Sequence, residues 1–215
     1  MQKTALFLVM LMLCAWISAA TITLTHYERG WYDYSGVHNA TNDNYIASTE
    51  HRDFFVFDLS SVTDYIVDAT LKVYSASFSG VAATEIYRMF DVLTPVATLV
   101  AGGTGLTSIY NDLGAGTVYA ERTVLSSEAG QTINITLNSN AIAAMNANHS
   151  LFAMAGILVN GAPGDPYRYI FGGSGGAVAT QLVLNTSLTP PVVPEFNTLA
   201  LFGLGLLALF VSKKH

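Results

Sequence analysis

Cysteine is almost missing from this chain. The one thiol, Cys14, sits in an apolar leader, directly after Leu13 rather than after the small residue that lipid attachment requires. Once that leader is removed, no disulfide or thiolate chemistry is available, and a domain of this size must stand on its hydrophobic core. Cations are scarce as well. Between residues 21 and 190 the bases are Arg29, Arg52, Lys72, Arg88, Arg122 and Arg168, six against fourteen carboxylates, a balance of −8. Such a surface repels nucleic acid and anionic lipid. Catalytic signatures are equally thin. There is no Gly-x-Ser-x-Gly elbow, and GGSGG (172–176) lacks a phosphate-loop lysine. His26, His38, His51, His149 and His215 form no close metal-binding pair.

What is present starts with the two ends. Residues 1–20 carry Lys3, an apolar run from Ala5 to Ile17, and then Ser18, Ala19 and Ala20. A positive start, a short apolar stretch and small residues predict a signal peptide cleaved after Ala20, with an uncleaved anchor as the alternative. At the other end, Pro190, Pro191 and Pro194 stiffen a linker over 188–193. A tail over 194–215 follows, with no charge from Thr198 to Val211 and a basic end at Lys213 and Lys214. Helix over 198–211 would be about 21 Å long, short of a hydrocarbon layer about 30 Å thick. The lysine stems reduce the mismatch and hold that end on the cytoplasmic side. The alternative is a core helix of the preceding domain, but an apolar character all round leaves no face for water.

The middle, residues 21–187, alternates with period two. In TITLT (21–25) Ile22 and Leu24 share one face; in QTINITL (131–137) Ile133, Ile135 and Leu137 do the same. Further strands are read at 53–60, 68–78, 84–92, 150–159, 167–171 and 177–184, separated by Gly, Asn, Asp and Pro clusters. One helix is expected in NSNAIAAMNAN (138–148), capped by Ser139, with Ile142 and Met145 toward a core. This pattern predicts an all-β ectodomain, an antiparallel β-sandwich of jelly-roll type with one short helix; a closed β-barrel buries alternate side chains equally well.

The richest polar and aromatic stretch is 26–53. Trp31, Tyr32, Tyr34, Asn42, Asp43 and Tyr45 are the candidate ligand-binding residues, because aromatic faces beside amide and carboxylate groups suit a sugar. The alternative is a long surface loop whose aromatics pack over one end of the domain. Asp33, Asn42, Asp43 and Asn44 offer oxygen to Ca²⁺, the one cofactor considered. Their spacing departs from the calcium-loop pattern, and turn closure by Asn and Asp explains them as well. A hydrolase would need paired carboxylates from Asp53, Asp58, Glu85 and Asp91. Those residues lie along strands and read more simply as decoration of a solvated face. Asn39, Asn134, Asn148 and Asn185 each begin an Asn-x-Ser/Thr triplet.

Val193, Pro194, Glu195 and Phe196, the apolar TLALFGLGLLALF (198–210), and Lys213 and Lys214 together resemble the PEP-CTERM sorting signal of Gram-negative bacteria. The family's second proline is replaced here by Phe196, and PEF in that place also resembles the archaeal PEF-CTERM variant. The resemblance implies an exosortase or archaeosortase as partner, an integral-membrane enzyme that reads the motif. GWYDYSGVHNATNDNYIA (30–47), RDFFVFDLS (52–60), YRMFDV (87–92) and YIFGGSGG (169–176) resemble a β-sandwich domain common on such proteins. That likeness carries no enzymatic activity with it. The expectation is an exported precursor held in the inner membrane, then a cell-surface or extracellular protein, structural or exopolysaccharide-associated. A carbohydrate-binding module is the alternative and a secreted hydrolase the third reading.

Overall fold

The computed structural model of the chain describes residues 19–172, 178–188 and 190. The expected leader up to residue 18, the expected sorting motif and helix at 193–211, and the terminal lysines lie outside the described residues. Among the described residues no helix is long and apolar enough to cross a membrane.

The chain is built from antiparallel sheets. The first runs β1 (Ala19–Thr25), β12 (Gln181–Ser187), β5 (Tyr65–Ser75), β9 (Gln131–Thr136). The second runs β2 (Glu28–Asp33), β4 (His51–Asp58), β10 (Leu151–Leu158), β7 (Thr84–Asp91), β8 (Val118–Leu125). A small third sheet joins β3 (Ala47–Ser48), β11 (Tyr169–Ile170) and β6 (Phe78–Ser79). Pleating sends alternate side chains to opposite faces, so one face of each large sheet supplies a shared core. Leu71, Val73, Ile133, Ile135, Leu182 and Leu184 meet Phe55, Phe57, Tyr87, Met89 and Met154 there. The expected faces of 131–137 and 21–25 hold: Ile133, Ile135 and Leu137 are buried between exposed Thr132, Asn134 and Thr136, and Ile22 and Leu24 pack against the same core. β1 begins at Ala19, so Ala19 and Ala20 pair with Ser187 and Thr186 on the near side of the predicted cleavage point.

The run Phe54-Phe55-Val56-Phe57 breaks the alternation for a physical reason. β4 is covered on both faces, as continuous apolar strands are. Phe55 and Phe57 enter the shared core, whereas Phe54 and Val56 face a second cluster with Leu99, Ile109, Tyr110 and Leu113. Those partners come from two helices that the sequence reading did not anticipate, α1 (Val96–Ala101) and α2 (Thr107–Asp112). Each has six residues, too few to show a periodic stripe, and α1 starts directly after Pro95. The helix that was expected is α3 (Ser139–Ala147), with Met145 buried and Ile142 packed on the core. Its cap is Asn138, not Ser139. The Asn138 side-chain oxygen accepts from the Asn140 and Ala141 backbone N–H groups, at 2.9 and 3.2 Å.

Two carboxylates read as surface decoration are inside. Asp53 is wholly buried, and Glu85 is buried and paired with Arg168 at 3.3 Å. Asp53 follows the pleat of Phe55 and Phe57 into the shared core, where one oxygen accepts from the Tyr87 hydroxyl at 2.7 Å and the other has no hydrogen-bond partner among the described residues. Burial pushes this carboxyl up to about 8, against the opposing pull of hydrogen bonds from Tyr87 and from backbone amides. Gly156 makes the contact possible, because a Cβ there would overlap the Tyr87 hydroxyl and ring. Asp58 is exposed as expected, and Asp91 accepts from the Thr117 backbone N–H at 2.7 Å.

Candidate functional site

The stretch 26–53 is not one long loop. β2 occupies Glu28–Asp33 at the edge of the second sheet, and β3 and a tight turn lead into β4. β2 escaped the sequence reading because ERGWYD has charges, a glycine and one apolar pair where alternation should be. Gly30 is required where it stands: a Cβ would come within 2.9 Å of the Phe54 ring and 2.7 Å of the His38 ring.

Pleating then separates neighbouring aromatics. Trp31 pairs with Asp53 and lies on the side of His51, while Tyr32 pairs with Arg52 and enters the helix-covered cluster. Tyr32 has no exposed surface and donates its hydroxyl to the Leu99 carbonyl at 2.7 Å, which removes it from any ligand face. Tyr34 is exposed beyond the strand end and does not border the cavity that Trp31 and His51 line. The loop after His38 alternates in the same way. Asn42 and Asn44 face a cavity, whereas Asp43 turns to Arg29, which grips both its oxygens at 2.8 Å. Tyr45 forms the wall behind that cavity. Its hydroxyl accepts from the Tyr74 N–H at 3.0 Å and donates to the Tyr74 carbonyl at 2.8 Å, and its ring packs on Phe55 and Phe171.

The cavity has a volume of about 240 Å³ and is bounded by Trp31, Asn42, Asn44, Tyr45, Ile46, His51 and Tyr167. It is smaller than the roughly 300–1,000 Å³ of sites for drug-sized ligands, which suits a small polar unit such as a sugar ring. Trp31 meets His51 edge to face at 4.6 Å, and His51 meets Tyr167 at 6.5 Å. Neither His51 nor Tyr167 stood out in the sequence. Tyr167 follows the NGAPGDP loop and reaches the cavity only through the tertiary fold, so no local pattern announces it.

Hydrogen bonds fix the His51 ring. The Ser48 hydroxyl oxygen accepts from the backbone N–H groups of Glu50 and His51, at 3.0 and 2.9 Å. Its own hydrogen therefore goes to His51 Nδ1, 2.8 Å away, leaving Nε2–H as the ring's donor. Burial lowers the His51 proton affinity, and Asp33 and Glu50 oppose that only in part, so the ring is neutral at pH 7. Ser48 is itself buried and committed to the turn, which makes it an anchor for His51 rather than a nucleophile.

Three of the four oxygen groups proposed for Ca²⁺, those of Asp33, Asn42 and Asp43, already hold local bonds. Asp33 Oδ1 accepts from Ser35 N, Ser35 Oγ and Val37 N, at 2.9, 2.7 and 2.9 Å. Burial alone would raise this carboxyl, but those bonds prevail and hold it below its ordinary range. Asn42 Oδ1 accepts from Asn44 N at 3.1 Å, and Asp43 belongs to Arg29. Among the described residues no three His, Cys, Asp or Glu side chains gather around one point. The Asn44 side-chain amide faces the cavity and has no hydrogen-bond partner among the described residues. The arrangement can therefore offer two amides, an imidazole N–H and two aromatic surfaces to a small uncharged ligand.

No protein-family model matches the chain, and no curated protein matches it.

Proposed function

We propose that this chain is an exported surface protein that holds polysaccharide in the Trp31–Tyr167 cleft. The observation that carries the reading is the convergence of Trp31, Tyr167, His51 and the amides of Asn42 and Asn44 on one small cavity. Rings stack on the apolar face of a sugar, while amides satisfy its hydroxyls in both donor and acceptor senses. Tyr32 and Tyr45 serve as the packing that keeps Trp31 and the 42–46 loop in place.

The strand order supports a jelly-roll sandwich. The chain crosses repeatedly between the large sheets, with β1, β5, β9 and β12 in one and β4, β7, β8 and β10 in the other; β2 extends the second sheet at its edge. Lectin domains use this architecture, although a fold does not by itself decide a function. Export rests on the leader 1–20. Sorting rests on Val193–Phe196, the apolar tail and Lys213 and Lys214. In this reading an exosortase-type enzyme takes the membrane-held precursor, and the domain is delivered to the cell surface or the extracellular matrix.

A pull-down of the full chain on a set of insoluble polysaccharides tests binding. Retention that Trp31→Ala abolishes supports the reading; retention by no polymer, or undiminished retention by the variant, refutes it. Fractionation of expressing cells tests the route. The precursor should appear in the membrane, and Lys213→Glu/Lys214→Glu should impair that placement.

A further inference from the structure

We infer that the cleft selects saccharides without negative charge and rejects uronate-bearing ones. This rests on the glycan-binding reading above and adds the chemical class of the ligand. A sugar carboxylate is bound well when a guanidinium or ammonium pairs with it, and burying it unpaired is costly.

Each arginine near this end of the molecule is already committed. Arg29 is sealed behind Tyr45, with its charge centre 5.0 Å from that ring, and donates to Asp43, the Val178 carbonyl and Thr180. Arg52 points to the other face of β4. It lies 4.1 Å over the Tyr110 ring and donates to the Tyr110 and Asn111 carbonyls. Arg168, next to Tyr167, holds Glu85 and the Asn160 carbonyl. His51 is neutral with its Nδ1 occupied by Ser48. Acidic groups stand close instead. Asp33 and Glu50 are near enough to His51 to favour its protonated form, and Glu50 also acts on Tyr167. The charges that act on His51 and Tyr167 are therefore acidic, while the cleft's hydrogen-bonding groups, the Asn42 and Asn44 amides, are uncharged.

The test uses the full chain on four polymers: cellulose and galactomannan, which are neutral, and polygalacturonate and alginate, which are polyuronates. Retention is measured at 0.05 and 0.3 M salt. The expected result is retention on at least one neutral polymer, lost in both Trp31→Ala and Tyr167→Ala, with none on the polyuronates. Tyr167 is half exposed, so its truncation leaves a folded protein for comparison if the Trp31 variant is unstable. Glu50→Lys removes an anion and adds a cation, so the preference for the neutral polymer should fall by about tenfold, more at low salt than at high. Polyuronate retention that Tyr167→Ala abolishes would overturn the selectivity and leave the glycan-binding reading intact. Retention by none of the four, or retention indifferent to both aromatic variants, would remove that reading as well.

Discussion

Trp31 and Asp53 are directly paired across β2 and β4, yet they open onto two different polar environments. On one side, Asn42, Asn44 and His51 border a water-accessible cavity and keep hydrogen-bonding capacity to spare. On the other, Asp53 and Tyr87 are closed inside the shared core, and one carboxyl oxygen has no hydrogen-bond partner among the described residues. Spare capacity at a wet surface is available to a ligand; in a dry core it is only a cost. Polar side chains brought close together by the fold can thus be open to a ligand in one place and weaken the fold in the other.

The largest expected effect is on the dry side. An aspartate in the unfolded chain titrates near 4, about 3.9 in model peptides, whereas folded Asp53 is raised to about 8. The folded state therefore keeps a proton that the unfolded chain gives up. This group's contribution to stability is full below about pH 4, declines as pH rises and levels off above the folded value, with a slope of at most about 1.4 kcal/mol per pH unit. Urea unfolding at pH 5, 7 and 9 should show that decline, and Asp53→Asn should flatten it. Equal slopes in both proteins would mean that the carboxyl is solvated. Next in size is Gly156→Ala, whose methyl would overlap Tyr87 and should cost about 1–3 kcal/mol. On the wet side, Tyr167→Ala should change stability by no more than about 0.5 kcal/mol while removing glycan retention.

Much of the scaffold can be read directly from residue patterns. Ile133, Ile135 and Leu137 announce a one-faced strand, and Met145 announces the inward side of α3. β2 and β8 are less legible. ERGWYD places charges and a glycine where alternation is expected, and VYAERTVL buries Tyr119, Ala120 and Val124 without a regular period. The two short helices become predictable only once Phe54 and Val56 are seen to need cover on their second face.

The cleft was legible as a region but not as a set of side chains. Composition singles out 26–53, but it does not tell Trp31 from Tyr32 or Asn42 from Asp43. That distinction comes from strand pleat and loop alternation, which send adjacent residues in opposite directions. His51 and Tyr167 required the tertiary fold. The buried carboxylates show the opposite error: an aspartate in a strand suggests solvent, and only the register with Gly156 and the reach of Tyr87 explain how Asp53 fits inside.

Trp31 offers a direct view of the cleft, because the chain's other tryptophan, Trp16, lies in the apolar N-terminal run. In a Trp16→Phe chain, all tryptophan emission comes from the cleft wall. Titration with soluble oligosaccharides cut from a retained neutral polymer should give a saturable change in that emission, and the matching uronate oligomers should give none. If the polymer is retained but Trp31 emission stays constant through saturation, the sugar sits elsewhere and the cleft is not its binding site.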